Sequence, residues 1–214
     1  VRESDTEETL IQKVKLATIL GTYQSTLTDF KYLRKIWKDN TEEERLLGVS
    51  LTGIMDNQLF NDYNTMSFED GQQVFDDSRV GSILNKLKEK AIETNKDLSE
   101  KLGIPQSTAI TCVKPSGTVS QLVDSASGIH ARHSEYYIRT VRGDNKDPIT
   151  KFMMDSGIPN EPDAMKPDSV TVFSFPMKSP EGATTRNEMS AIHQLNLWQA
   201  YQNHWCEHKP SVTI

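Results

Sequence analysis

The stretch TCVKPSGTVSQLV, Thr111 to Val123, holds the residues best suited to chemistry. A β-branched, apolar approach meets Lys114, Pro115, Ser116, Gly117 and Thr118, and Val119 and Ser120 follow. Proline presets one φ, glycine lets a ligand reach the backbone without a Cβ in the way, and the hydroxyls of Ser116, Thr118 and Ser120 can donate hydrogen bonds. A helix starting at Thr118 or Val119 would aim its free N–H groups and the positive end of its dipole at the same place. Lys114 would add a full positive charge. The chemistry this set could do is to hold an anion, a phosphate above all. It is not a P-loop, because the G-x-x-x-x-G-K-[ST] spacing is absent. The same residues also make an ordinary capped turn in which Pro and Gly only punctuate the chain.

A ligand turn of this kind needs a strand before it and a helix behind it, at the carboxyl end of a parallel sheet. Asp5 and Glu8 fit a capping signal for a helix from Glu7 to about Thr22, with Leu10, Val14, Ala17 and Gly21 on one face. A short basic helix is expected around Tyr32 to Lys38, and Glu42 to Glu44 form a solvated acidic run. Leu46 to Asp56 suits a buried strand and a turn at Gly53. Phe68 to Leu102 reads as one long helix, with Val80, Ile83, Leu84, Leu87, Ala91, Leu98 and Leu102 at threes and fours, stopped by Gly103 and Pro105.

Beyond the turn, Tyr136 to Val141 reads as a strand, Pro148 to Asp155 as a helix ended by Gly157, and SVTVFSFPM as a second strand. Thr185 and Glu188 form a capping box for a helix through Trp205, with Met189, Ile192, Leu195, Trp198, Tyr201 and Trp205 as a core stripe. SVTI reads as a last short strand. Strands alternate with helices, so the expected class is α/β with mainly parallel pairing. There is no internal repeat, low-complexity segment or flexible linker.

Composition narrows the function. The 214 residues carry a formal charge of −6 and no basic tract, which argues against duplex nucleic acid as a partner. No apolar run approaches a membrane span and no signal-peptide pattern opens the chain. Two cysteines, Cys112 and Cys206, are too few for a secreted disulfide scaffold, so a cytoplasmic location is expected. Neither end shows the polar tail usual at a terminus, which suggests a piece of something longer.

The segments KPSGTVSQLVDSASGIH, LLGVSLTGIMD, NHWCEHKPSVTI and TILGTYQSTLTDFKYLRKIW together resemble the C-terminal half of the catalytic barrel of ribonucleotide reductases, most closely the adenosylcobalamin-dependent class II branch. The resemblance runs in the family's order over nearly the whole chain. It implies a fold that is part of a ten-stranded α/β barrel, with residues 1–214 a single, incomplete segment of it. It also implies that Pro115, Ser116, Gly117, Thr118 and Val119, with Ser120 less secure, bind the phosphates of a ribonucleotide substrate.

The family's thiyl-forming Cys, with its Glu and Asn, lies upstream and has no counterpart here, so the chain by itself is expected to be inactive. Adenosylcobalamin, an N-terminal reductase part and a thioredoxin-like reductant are the implied cofactor and partners. Ala131 stands where the family often has proline, which loosens the match over Ser125 to His133. A non-catalytic nucleotide- or phosphate-binding module derived from the same barrel is the alternative.

Other residues read more plainly. Cys112 and Cys206 suit buried structural positions better than a redox pair. His204 and His208, flanking Cys206, resemble a metal ligand set, but no further ligand completes it, and histidine suits a helix C-terminus. His130, Arg132 and His133 could reach a phosphate or a cofactor, or sit in a solvated loop. Tyr136 and Tyr137 should point to opposite faces of their strand.

Overall fold

The structure, a computed structural model, describes residues 1–61, 66–69 and 72–210. Its first half holds α1 (Glu7–Gln24), α2 (Lys35–Glu44), β1 (Val49–Ser50), a 3-10 turn (Ile54–Asp56), α3 (Gln58–Asn61), β2 (Met66–Glu69), β3 (Gln72–Phe75) and α4 (Ser78–Leu102). Its second half holds β4 (Thr111–Cys112), α5 (Gly117–Leu122), β5 (Tyr136–Asp144), α6 (Pro148–Asp155), β6 (Asn160–Pro162), β7 (Val170–Lys178) and α7 (Ala191–His204). These elements form two compact units, Val1–Arg132 with Glu181–Ile214, and His133–Pro180. Among the described residues no helix is long and apolar enough to cross a membrane.

The first unit is built on a short parallel pair. Val49 lies opposite Thr111 and Ser50 opposite Cys112, and α4 supplies the long crossover that parallel strands require. Alternation along Leu47 to Leu51 sends Leu47, Val49 and Leu51 into the core and leaves Gly48 and Ser50 exposed. Val80, Ile83, Leu84, Leu87 and Ala91 of α4 fill that core from above the pair, as their spacing predicts, while Leu102 is left exposed at the helix end. Gly103 ends α4 in the left-handed conformation, φ 65°.

Polar groups join the helices as well. Asn95, fully buried on α4, donates 3.0 Å bonds to Thr22 Oγ1 of α1 and to Ser107 Oγ, and its own oxygen accepts the Ser107 N–H. Ring placement decides the α4–α7 contact: His204 lies between Asp77 and Asn85, 3.2 Å from each, against Gly81.

Several boundaries differ from the sequence reading, each for a local reason. The N-cap of α1 is Thr6, in a box with Thr9, because Asp5 is engaged by Lys13, Thr9 and the Arg2 N–H. The buried face of α1 drifts to Thr18 and Thr22, and Ala17 is exposed. Thr18 and Thr22 can sit inside because their hydroxyls bond the carbonyls four residues back.

The long helix begins at Ser78, and β2 and β3 pair antiparallel ahead of it. Gly71 in this stretch of sequence disfavours a helix, against the helical spacing of its apolar residues. The Thr185–Glu188 pair closes a local turn, and α7 starts six residues after Thr185 with Ser190 as its cap. Its buried face is Leu197, Ala200 and Tyr201, continued by Trp205 at the cap, so Ile192 and Leu195 of the expected stripe are exposed. The expected SVTI strand lies outside the described residues.

The second unit corrects the expectation of parallel pairing. Its order is β5-β7-β6, both pairings antiparallel, with Val141 opposite Phe173 and Glu161 opposite Val172. Helix α6 spans the predicted residues. Asp147 caps it and Pro148 takes its first position, where a missing N–H costs nothing. It carries Thr150 against Gly143, where any Cβ would collide. Tyr136 is exposed and Tyr137 half-buried, on opposite faces as strand alternation requires.

Candidate functional site

Immediately after β4 the chain turns outward. Val113 is fully buried, whereas Lys114, Pro115 and Gly117 are exposed, Ser116 is half-buried, and Val119 is two-thirds exposed. The corner therefore sits at the carboxyl end of a parallel strand, with open surface beside it. Gly117 takes φ 37° with nothing within 4 Å of where a Cβ would stand, so backbone conformation rather than crowding favours glycine there. Helix α5 starts at this glycine, one residue before the earlier of the two starts expected, and runs for six residues.

The hydroxyls of Ser116 and Ser120 turn inward. Thr52 Oγ1 donates to the Ala126 carbonyl (2.9 Å) and lies 2.8 Å from Ser116 Oγ, which is itself 3.1 Å from Ser127 Oγ. Since Thr52 spends its one proton on Ala126, Ser116 must donate to Thr52, and Ser127 to Ser116. The Gly128 N–H divides between Ser116 Oγ (3.0 Å) and Thr52 Oγ1 (3.1 Å), and the Gly117 N–H meets Ser127 Oγ (3.1 Å). Ser116 is thus the hub of a relay joining residues 52, 127 and 128. Ser120 is fully buried, and its hydroxyl donates to the Gly117 carbonyl at 2.7 Å. The amides of Lys114 (to Ser50 Oγ), Gly117, Val119 and Ser120 are bonded internally.

A buried ion pair stands behind the relay. Arg132 Nε and Nη2 reach Asp56 Oδ1 and Oδ2 at 2.7 and 2.9 Å, and the two side chains are 3% and 1% exposed. Arg132 is therefore committed inward and is not a solvated phosphate hand. His130, half-buried, has Nδ1 2.9 Å from the Ser127 carbonyl, while His133 belongs to the other unit and is exposed.

Thr52, Asp56 and Ser127 went unremarked in the sequence, although they lie in the quoted segments LLGVSLTGIMD and KPSGTVSQLVDSASGIH. Small hydroxyl and acidic residues beside glycine were the available signal.

The cysteines are both free and buried. Burial raises the Cys112 thiol, and burial together with Cys112 pushes Cys206 up to about 12. Neither environment activates a thiolate. Trp205 donates its indole N–H to the Cys112 carbonyl at 2.7 Å, and Glu207 accepts the Ile110 and Thr111 N–H groups. The segment after α7 thereby closes the free edge of β4. His204 is spent on Asp77 and Asn85. Among the described residues no group of three or more His, Cys, Asp or Glu is placed to hold a metal.

No protein-family model matches the chain. The adenosylcobalamin-dependent ribonucleoside-triphosphate reductase of Lactobacillus gasseri is 28% identical over 201 residues, covering 87% of this chain and 26% of that protein. The enzyme of the same name from Lactobacillus acidophilus is 30% identical over 204 residues, with shares of 87% and 26%. That of Euglena gracilis is 25% identical, with shares of 97% and 29%. Among solved structures, a B12-dependent (class II) ribonucleotide reductase matches with a TM-score of 0.78 at 25% identity, over 96% of this chain and 30% of that one.

This chain is homologous to part of the class II ribonucleotide reductases. It spans about a quarter of the length of the curated relatives it matches. Its fold is accordingly a portion of the reductase α/β barrel, as the sequence resemblance implied.

Proposed function

We propose that this chain is the C-terminal part of the catalytic barrel of an adenosylcobalamin-dependent reductase that converts ribonucleotides to 2′-deoxyribonucleotides for DNA synthesis in the cytoplasm. The relatives' names favour ribonucleoside triphosphates as substrates. In this reading residues 1–214 form one incomplete segment, and the corner Pro115, Ser116, Gly117, Thr118, Val119 and Ser120 anchors the substrate's phosphates.

The observation that carries the reading is the position of that corner: exposed, at the carboxyl end of β4, in a chain whose homology to the reductases covers most of its length. The relay takes the hydroxyls of Ser116 and Ser120 and the Gly117 amide. An anion then has the Ser116 and Thr118 N–H groups, at the start of α5, and the exposed Lys114 ammonium to bind. Ser120 acts from behind, by fixing Gly117. Holding the phosphate tail orients the ribose, and positioning of that kind supplies several kcal/mol of barrier lowering.

The radical chemistry belongs to residues outside this chain. Adenosylcobalamin bound to the whole enzyme would supply the radical chemistry. The cleft of about 560 Å³ beside α1 and α3 does not suit that group: beside Asn57, Gln58 and Leu59 its wall carries the charges of Glu3, Asp5, Glu7, Arg79 and Glu181, which a corrin face would desolvate. The buried, high-pKa thiols of Cys112 and Cys206 do not suit the reducing pair, and a thioredoxin-like donor would deliver electrons elsewhere in the enzyme.

The test is to assay deoxynucleotide formation from CTP with adenosylcobalamin and a dithiol, using this chain alone and with the N-terminal part of a class II reductase added. Activity only in the mixture is expected. Turnover by this chain alone would overturn the assignment of roles, and nucleotide binding that the added part leaves unchanged, without any turnover, would favour the non-catalytic binding module instead.

A further inference from the structure

We infer that Asp56 and Arg132 are positioning residues for the phosphate corner, acting through the loop Asp124–Gly128; this rests on the reading of the corner given above. Burying an ion pair this completely is expensive and is a weak source of stability, so where its polar atoms are directed matters. They converge on one loop. Asp56 Oδ2 accepts the Ala126 N–H at 2.7 Å as well as the guanidinium. Arg132 Nη2 donates to the Asp124 carbonyl at 3.0 Å, and Nη1 lies 3.2 Å from Asp124 Oδ1. Asp124 sits in the left-handed region, φ 45°, which aspartate adopts more readily than most non-glycine residues, and both its carbonyl and its carboxylate meet Arg132 there.

The same loop is gripped from the β1 side. The Ala126 carbonyl accepts the Gly53 N–H at 2.7 Å and the Thr52 hydroxyl at 2.9 Å. With Ala126 fixed at both its N–H and its C=O, the next two residues have little freedom. They are Ser127, which takes the Gly117 N–H, and Gly128, which donates to Ser116.

Arg132 is anchored independently of the corner. Its N–H donates to the Thr184 carbonyl and its carbonyl accepts from the Arg186 N–H, at 2.9 and 2.8 Å. The pair therefore ties the corner to a frame made of the 52–56 and 184–186 stretches. The bonds described for both side chains run to each other, to Asp124 and to Ala126, which makes both positioning residues rather than ligands.

Two readouts on the 214-residue chain separate this inference from the reading it rests on. The first needs no ligand. In Asp56→Asn, which keeps the side-chain shape, amide hydrogen exchange at Gly117 and Gly128 should quicken about tenfold (roughly the effect of 1.4 kcal/mol) relative to amides in the middle of α4. Arg132→Lys, which keeps the charge and loses the fork, should do the same and guards against a variant that fails to fold. Unchanged exchange at both amides in the folded variants would overturn the inference.

The second readout is calorimetric binding of inorganic tripolyphosphate. Asp56→Asn should weaken it about tenfold (again near 1.4 kcal/mol) in the wild-type background and hardly at all in Ser116→Ala, because the pair acts through Ser116. Equal losses in both backgrounds would overturn it. If the wild type bound no tripolyphosphate while exchange changed as expected, the clamp would stand and the phosphate reading would fall.

Discussion

Replacing Ser116 by alanine removes the hub of the relay. Ser116 Oγ makes three contacts, to Thr52 at 2.8 Å, to Gly128 N at 3.0 Å and to Ser127 at 3.1 Å. They are not equally costly to lose. Gly128 keeps Thr52 Oγ1 as acceptor at 3.1 Å, and Ser127, half-buried, keeps the Gly117 N–H and can turn its proton to water. Thr52 still donates to Ala126 and loses only an incoming proton. About one to two net hydrogen bonds therefore disappear, each worth about 1 kcal/mol, so Ser116→Ala should destabilise the chain by about 1–2 kcal/mol.

Urea unfolding followed by tryptophan fluorescence measures this directly, with an unchanged slope showing that compactness is preserved. Val119→Ser, at the exposed neighbour, serves as the control and should stay within about 0.5 kcal/mol. A Ser116→Ala midpoint equal to wild type would mean that the relay is not formed in solution, and the inward assignment of the Ser116 hydroxyl would be wrong.

Gly81→Ala should cost about 1–3 kcal/mol, because the new Cβ would stand 2.7 Å from His204 Nε2 and push the ring off Asp77 and Asn85. Thermal unfolding of Gly81→Ala, His204→Ala and the double variant should show the double cost falling short of the sum. Cys206, with its thiol at about 12, should resist iodoacetamide at pH 8 in the folded chain and react on unfolding. Its sign with pH follows: above about 8.5 the unfolded thiol ionises while the folded one keeps its proton, so stability present below that pH is lost as pH rises towards 12, by at most about 1.4 kcal/mol per pH unit from this group. A stability that rises over that range would contradict the burial of this thiol.

How much of this was legible beforehand depends on the range of the forces involved. Local signals read well: the stop of α4 at Gly103, the start of α6 at Asp147–Pro148, and the exposed corner at Pro115–Gly117 each rest on the backbone preferences of one or two residues. Spacing located the α4 core face but misjudged α7, where Ile192 and Leu195 match the period and remain exposed. Periodicity registers a helix's faces without registering what is packed against them.

Strand direction failed for a similar reason. Alternating elements suggest crossovers, yet β5, β7 and β6 pair antiparallel across the short helix α6 and the loops around it. The parts of the site that escaped notice are those made by contacts across 64 to 76 residues: Thr52 with Ser116, and Asp56 with Ala126 and Arg132. Arg132 shows the limit best. A basic residue near a Pro-Gly-hydroxyl turn invites a binding role, and only the structure shows its side chain buried against Asp56 and bonded to the Asp124 carbonyl.

The corner at Lys114–Ser120 is proposed to receive the phosphates of a nucleotide. Backbone amide NMR of the chain titrated with CTP tests it most directly. The Ser116 and Thr118 amides should shift most, saturably, with the Thr22 and Asn95 region unmoved, and inorganic tripolyphosphate should reproduce the pattern. Saturable shifts centred on another part of the chain, with those two amides unchanged, would contradict the account.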